Sequence, residues 1–237
     1  MTDSQTDTYL KAGAKSQLLL YRINHGNRAW VLLLALFLQI VLLPLDASFP
    51  ILSLLLQLGI IFSAIFMVAD TKQHLLIGMG FGLPSSLILI FTTRQEYGTL
   101  TWIAFTLILF LYLHVIRLML IRVFKAKKVT LNTIALALCT YVLLGTLWTL
   151  FYIPLVAMDH DAFVFNEASA GIPIMDSLHY FSFVTLTTLG YGDIVPVAPM
   201  ARSLAIMEAL TGVLFLAVLI SRLVGSYSSD RREENSD

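Results

Sequence analysis

Residues 185–193 read TLTTLGYGD and combine hydroxyl side chains, two glycines and a carboxylate within one short stretch. A dehydrated cation needs a cage of oxygens to replace its water, and backbone carbonyls can supply most of that cage. Successive carbonyls point to the same side only if the backbone alternates between conformations. Glycine reaches both conformations at little cost, so Gly190 and Gly192 are the residues expected to allow this alternation.

Three other residues of the stretch have predicted places in the same cage. Thr188 can add a hydroxyl oxygen at its inner end. Leu189 and Tyr191 then turn their side chains away from the ion path and hold the loop open. The residue types therefore predict a cation site over 188–192, built from backbone carbonyls and one hydroxyl.

A short helix is predicted to position this loop. Residues 175–187 can form about three and a half turns, which is too short to cross a bilayer. Asp176 lies in the first turn, where an acid complements the helix dipole, and the negative C-terminal end points at the loop. Irregular backbone at membrane depth survives only when it is buried or lines a watery path. We therefore expect a re-entrant loop rather than a tight surface turn.

The composition is that of an integral membrane protein. Of the 237 residues, 58% are hydrophobic and 13% are charged, whereas roughly 25% are charged in soluble domains. The formal net charge is zero, so no nucleic-acid partner is indicated. Cys139 is the only cysteine, cannot form an intrachain disulfide and is expected to be a buried, inert thiol.

Six apolar segments are long enough, or nearly so, to cross a bilayer as helices. A loop with two prolines follows the first span and predicts a hairpin between the first two. The re-entrant loop falls between the fifth and sixth spans. The six segments are 29–45, 49–69, 75–92, 99–122, 129–157 and 200–225.

Basic residues in the connections predict the orientation, because Lys and Arg concentrate on the cytoplasmic side. With six spans, only Arg94 and Arg202 fall on one side, and Arg117 lies inside the fourth span. The sequence therefore predicts that both termini are cytoplasmic. Twelve basic residues fall on the cytoplasmic side: Lys11, Lys15, Arg22, Arg28, Lys72, Arg122, Lys125, Lys127, Lys128, Arg222, Arg231 and Arg232.

Residues 188–193, TLGYGD, resemble the signature filter of potassium channels, with leucine where valine or isoleucine is commoner. The FSFVTLTT before them, the IVP after them and the YVLLGTLWTLFY at 141–152 are similar to the bacterial two-helix pore family. The resemblance implies an all-α membrane protein with six transmembrane helices, a re-entrant pore helix and a selectivity-filter loop. It implies a homotetramer in the bacterial inner membrane, in contact with lipids, with no cofactor and no other subunit. The permeant K⁺ would bind at Thr188, Leu189, Gly190 and Tyr191.

The resemblance also assigns residues that support the filter. In the family, aromatic side chains of the pore helix hydrogen-bond the filter tyrosine and the acid outside it. Tyr180 could donate in this way to Asp193, and Thr185 could bond the hydroxyl of Tyr191. The supporting residues are Tyr180, Thr185, Thr187 and Asp193.

The sixth span resembles the inner helix that lines the gate. Gly212 follows the filter tyrosine by 21 residues, where the family carries its hinge glycine, and Leu216 and Ile220 would then face the cavity. Close helix packing through a small residue is the alternative for Gly212. Glu208 is an acid within the span, and such acids usually face the protein interior. It is expected to be a buried structural residue, either protonated or bonded to Ser182 or Thr185 of the pore helix, with proton sensing as the alternative.

The predicted organisation has four parts. A cytoplasmic tail at 1–25 precedes a four-helix peripheral domain at 26–128, a pore domain at 129–225 and a short polar tail at 226–237, which is too short for a ligand-sensing domain. The peripheral helices stand where voltage-gated channels carry their sensor. Arg117 is the only basic residue deep in the fourth span, so we expect weak or no voltage gating.

Two other functions stay open from sequence. A non-selective cation channel would share the architecture, and a potassium transporter subunit would carry internal repeats or paired broken helices. An enzyme is not expected, because neither HExxH nor GxSxG occurs in the sequence.

Overall fold

A computed structural model describes residues 28–42, 59–60, 63–64, 72–92, 98–126, 128–166 and 172–234. The predicted N-terminal tail and the predicted hairpin loop lie outside the described residues, as does most of the second span. The first four helices of the described chain are α1 (Arg28–Leu42), α2 (Lys72–Thr92), α3 (Thr99–Lys125) and α4 (Leu131–Met158).

The second half of the described chain contains the short elements. Strand β1 (Phe163–Phe165) follows α4, and the short helix α5 (Ile174–Leu186) follows β1. Strand β2 (Ile194–Pro196) comes next, and α6 (Pro199–Glu234) is the longest helix described. The loop between α5 and β2 contains the predicted cation site.

Three of the described helices are long and apolar enough to cross a membrane. They are Thr99–Lys125, Leu131–Met158 and the Pro199–Gly225 part of α6, which correspond to the fourth, fifth and sixth predicted spans. The apolar stretches Arg28–Leu42 and Leu76–Ile88 are shorter. The protein is therefore a helical membrane protein, and the count of six spans stays a prediction.

Two helix ends differ from the predictions, because α4 begins at Leu131 rather than at 129 and α6 extends beyond 225. The N-terminus of α4 is set by a capping box, in which the side chains of Thr130 and Thr133 each accept the other's backbone N–H at 3.3 Å. At the other end of the pore region, α6 continues to Glu234 rather than ending at 225. Gly225 does not end the helix, since a glycine inside a helix costs only about 1 kcal/mol relative to alanine.

The all-α expectation also missed a small sheet. Strands β1 and β2 pair antiparallel, with Phe163 opposite Pro196 and Phe165 opposite Ile194. Phe163 and Ile194 are buried, as expected for aromatic and β-branched residues on the inner face of a strand. This pairing connects the segment before α5 to the segment after the loop.

An aromatic cluster holds these elements together. Tyr152 of α4, Phe163 of β1 and Phe181 of α5 meet edge to face, with ring centroids 5.2 to 5.5 Å apart. Such pairs contribute about 0.5–1.5 kcal/mol each beyond their buried area. Helix α4 also packs against α3 and α6, so it is the central helix against which the short helix α5 is positioned.

Candidate functional site

The loop after α5 has an alternating backbone. Thr188, Gly190 and Gly192 have φ angles of 59°, 58° and 79°, and the intervening residues do not have positive φ. The alternation predicted at the two glycines is present, and it begins one step earlier, at Thr188. A left-handed conformation costs an L-residue about 1–2 kcal/mol, so its presence at a threonine indicates that the surrounding structure enforces it.

Hydrogen bonds to the end of α5 enforce this conformation. The Val184 carbonyl accepts the backbone N–H groups of Leu189 and Gly190, at 2.9 and 3.3 Å. The Thr188 N–H donates to the Thr185 carbonyl at 2.9 Å. Because the N–H groups are used in this way, the loop backbone is held directly at the C-terminal end of the helix dipole.

The side chains of the loop point away from the body of the chain. Leu189 is 54% exposed and Tyr191 is 67% exposed in the single chain. Exposing apolar and aromatic side chains of this size is unfavourable, so we expect another element to cover this surface. That these two side chains turn away from an ion path stays a prediction.

The outer end of the loop is fixed at Asp193. Its carbonyl accepts the Asn166 N–H at 3.0 Å, next to the β1–β2 sheet. Its carboxylate accepts the N–H of Ile194 at 3.2 Å and interacts with the side chain of Tyr180. The contact proposed between Tyr180 and Asp193 on sequence grounds is therefore present.

The two threonines at the end of α5 have local contacts. The Thr187 hydroxyl donates to the Phe183 carbonyl at 2.7 Å, a bond within its own helix turn. Among the described residues, no hydrogen bond joins Thr185 to Tyr191, because the tyrosine ring points away from the chain that carries it.

Two glycines let the long helices approach α5. A Cβ atom at Gly212 of α6 would lie 2.0 Å from the Leu186 carbonyl oxygen. A Cβ atom at Gly145 of α4 would lie 2.8 Å from the Phe183 ring. Each glycine is thus required for close packing against α5. This geometry favours the packing role for Gly212 and does not test the hinge role, since α6 is continuous through it.

We expect Gly212→Ala to destabilise the protein by about 1–3 kcal/mol, the usual cost of overpacking a well-packed site. The contact is with backbone, which cannot rotate away. Gly225→Ala on the same helix is the matched control, because a Cβ there meets nothing within 4 Å. Thermal unfolding of the detergent-purified variants measures the difference. Equal melting temperatures would show that Gly212 does not pack as described.

Glu208 is fully buried between three helices. Its Oε1 atom lies 2.5 Å from the Ser182 hydroxyl oxygen of α5. Its Oε2 atom lies 2.5 Å from the Tyr152 hydroxyl oxygen of α4. The contact with the pore helix that was expected from sequence is present through Ser182, whereas Thr185 is not a partner.

Sequence reasoning missed the residues of α4 that face α5. Tyr141 donates to the Leu186 carbonyl at 3.2 Å, and Gly145, Thr149 and Tyr152 contact α5 or Glu208. These four positions are three or four residues apart and so lie along one helix face. The spacing of these four residues could have indicated that they share one face. However, α4 is apolar on all sides, so the sequence does not show which face contacts α5.

The residues that were assigned to the gate, Leu216 and Ile220, lie on the exposed side of α6. Leu216 and Ile220 are exposed in the single chain, whereas Phe215 and Leu219 are buried. The exposed side is therefore available to face a cavity.

Arg117 of α3 is exposed as well, and the ring of His114 beside it lies 5.5 Å from that of His74.

Comparison with known proteins shows which family and which relatives this part of the sequence is similar to. Residues 136–228 match the family described as "Ion channel". The matched segment runs from within α4 through α5 and the loop to α6, and it covers less than half of the chain. The alternating loop backbone lies inside this segment, and so do most of α4 and the apolar part of α6. No solved structure gives a significant match.

Individual relatives align over the same part of the chain. "Protein LctB" of Geobacillus stearothermophilus is 37% identical over 88 residues, which are 36% of this chain and 63% of that protein. "Two-pore potassium channel 3" of Arabidopsis thaliana is 38% identical over 76 residues, 32% of this chain and 16% of that protein. "Inward rectifier potassium channel Kirbac3.1" of Paramagnetospirillum magnetotacticum is 41% identical over 49 residues, 21% and 17%. The chain thus spans less than two thirds of each of these relatives.

Proposed function

We propose that the chain is one subunit of a potassium-selective ion channel. The observation that carries the proposal is the alternating positive φ at Thr188, Gly190 and Gly192, directly after a helix too short to span. The ion channel family covers this segment, and two of the relatives carry "potassium channel" in their names. K⁺ is the permeant ion, and the proposal needs no catalytic residue and no cofactor.

The proposed filter consists of the segments 188–192 of four chains. The carbonyls of 188–191 and the hydroxyl of Thr188 replace the water around each ion. The C-terminal end of α5 contributes roughly half a negative charge per chain near the ion path. Asp193 and Tyr180 hold the outer end of the filter, and Thr185 and Thr187 lie behind its inner end.

The proposed ion cage is the reason for proposing a tetramer. One chain supplies one filter segment, and four around a common axis complete a closed ring. In the most apolar stretch of α6, only 22% is buried within the chain, against 67% in the corresponding stretch of α4. Helix α6 therefore has a large surface free for neighbouring copies. We propose that the exposed side chains of Leu189 and Tyr191 pack against these copies.

The remaining parts of the chain are placed around this pore. Residues 129–225 form the pore domain, with Leu216 and Ile220 of α6 towards the gate, and 26–128 lie at the periphery in contact with lipid. The distribution of Lys and Arg supports a cell-membrane protein with both termini, 1–25 and 226–237, in the cytoplasm.

Flux into liposomes tests the proposed function. Vesicles containing the purified protein are expected to take up K⁺, and to take up Na⁺ far more slowly under the same gradient. Native mass spectrometry of the same preparation is expected to show four chains per particle. Equal uptake of both ions would favour the non-selective channel, and a conducting monomer or dimer would rule out the tetrameric filter.

We expect the open probability to change little between about −100 and +100 mV. Four copies of Arg117 could couple at most about 9 kcal/mol per 100 mV, and only if each crossed the whole field. The residues of α3 before His114 contain no Lys or Arg, so no ladder of charges runs through this part of the helix to support such a movement. Single-channel recording across this range tests the expectation. A steep voltage dependence that disappears in Arg117→Gln would contradict it.

A further inference from the structure

Hydrogen bonds behind the filter connect three helices. The Ser182 hydroxyl oxygen lies 2.5 Å from Glu208 Oε1 and 2.7 Å from the Gly145 carbonyl oxygen. The Thr149 hydroxyl also lies within reach of the Gly145 carbonyl, at 3.1 Å. We name these contacts the interhelix network, which consists of Gly145, Thr149, Tyr152, His179, Ser182 and Glu208.

The protons of this network can be counted. The Gly145 carbonyl has no proton, so its 2.7 Å contact with Ser182 requires the single hydroxyl proton of the serine. That proton then cannot also lie between Ser182 and Glu208 Oε1, which are 2.5 Å apart. Two oxygens this close need a proton between them, and it must come from the carboxyl group of Glu208. Both lengths fall within the range of O–H···O bonds.

The remaining members of the network accept this assignment. The Tyr152 hydroxyl donates to Glu208 Oε2, which is the carbonyl oxygen of a protonated carboxyl group. Thr149 donates to Gly145 and accepts from Nδ1 of His179 at 3.3 Å. If Nδ1 of His179 carries the ring proton, Nε2 carries none and is only an acceptor. Nε2 has no hydrogen-bond partner, and this tautomer therefore leaves every buried donor of the ring bonded.

The surroundings of Glu208 favour the uncharged form as well. The titratable side chains that face it are Tyr152 and Tyr141, both from α4, and neither is cationic. In the described part of the chain, Glu208 has no cationic partner. A buried, unpaired carboxylate within a membrane span is expensive, whereas a neutral acid with both oxygens bonded is not.

We propose that Glu208 is a neutral carboxylic acid whose proton is donated to Ser182, and that this bond positions α5 for ion selection. The proposal rests on the proposed function for its second half. Ser182 lies two residues before Val184, whose carbonyl holds the filter loop, and Glu208 lies one turn before Gly212, which packs on the end of α5. Glu208 is thus a positioning residue that sets the distance between the inner helix and the filter.

Infrared difference spectroscopy tests the protonation directly. The spectrum of the wild type minus that of Glu208→Gln, at neutral pH, is expected to contain the carbonyl band of a protonated carboxylic acid. That band is expected to shift in Ser182→Ala, which removes the acceptor. Its absence from the wild type would overturn the proposal. This measurement does not depend on transport, so it decides the protonation state even if the wild-type protein conducts no K⁺.

Two substitutions of similar size test the positioning role. Glutamine can donate to Ser182 and accept from Tyr152, so Glu208→Gln should keep the K⁺ over Na⁺ flux ratio within about twofold of the wild type. Glu208→Met can do neither, so it loses both bonds and should lower the ratio about tenfold or more. Loss of selectivity in both variants would show that the charge matters, and retention in both would show that the bond does not. Either result overturns the positioning role.

A serine pair controls for the loss of a hydroxyl. Ser203 lies on α6, is exposed, and donates only to the Pro199 carbonyl of its own helix. Ser203→Ala should leave the flux ratio unchanged, whereas Ser182→Ala should lower it in the same direction as Glu208→Met. Equal effects of the two serine variants would contradict the network.

Discussion

Gly190→Ala is expected to abolish potassium-selective flux. Gly190 has a φ of 58°, and an L-residue there costs about 1–2 kcal/mol. The cost arises in every chain around the same ion path, and it can be relieved only if the peptide rotates and withdraws its carbonyl from the cage. The change therefore acts on the site itself rather than on the fold.

The control for this variant is Gly80→Ala in α2. A Cβ atom at Gly80 meets nothing within 4 Å, and alanine in a helix is favoured over glycine by about 1 kcal/mol. Both variants should purify with the same stoichiometry in native mass spectrometry, and only Gly190→Ala should lose K⁺ uptake into liposomes. Normal selective uptake by Gly190→Ala would mean that the alternating backbone is not the ion path.

Tyr191→Asp is expected to raise sodium permeability while potassium still passes. The tyrosine side chain is directed outward from the loop and is 67% exposed in the single chain. In the tetramer we expect it to pack behind the filter and to hold the cage at the width of K⁺. A short charged side chain cannot fill that space, so one layer of the cage should be lost. The preference for K⁺ over Na⁺ should fall by about tenfold or more, which corresponds to roughly 1.4 kcal/mol.

Tyr191→Phe separates the role of the ring from that of the hydroxyl. If packing of the ring sets the width, Tyr191→Phe should retain most of the selectivity that Tyr191→Asp loses. If the ring hydroxyl bonds Thr185 of a neighbouring chain, Thr185→Val should resemble Tyr191→Phe. Permeability ratios from flux assays in mixed ions measure both effects. An unchanged ratio in Tyr191→Asp would count against a filter at this position.

The parts of the fold that were predicted from sequence depend on short-range patterns. Long apolar runs marked the helices at 99–125 and 131–158, because the length needed to cross a bilayer is fixed by its thickness. The short helix before the loop was placed within one residue at each end, at Ile174–Leu186. The glycines of the loop marked the positive φ angles, since few other residues adopt them cheaply.

The parts that were missed depend on contacts between distant segments. The positive φ of Thr188 follows from hydrogen bonds of the loop to the end of α5, which no local pattern signals. The β1–β2 sheet joins residues about thirty positions apart, and strands of three residues carry little periodicity. Likewise, the partners of Glu208 come from two other helices, and sequence identified the acid and Ser182 but not Tyr152 of α4.

The reversal potential under asymmetric ionic conditions tests the central claim most directly. With K⁺ on one side of a planar bilayer and Na⁺ on the other, the wild-type protein should carry current that reverses far from zero, at a voltage that opposes K⁺ flow. The same measurement with Gly190→Ala should give no such potential. A wild-type current that reverses near 0 mV would show that the pore does not distinguish the two ions, and it would contradict the assignment of 188–192 as a potassium filter.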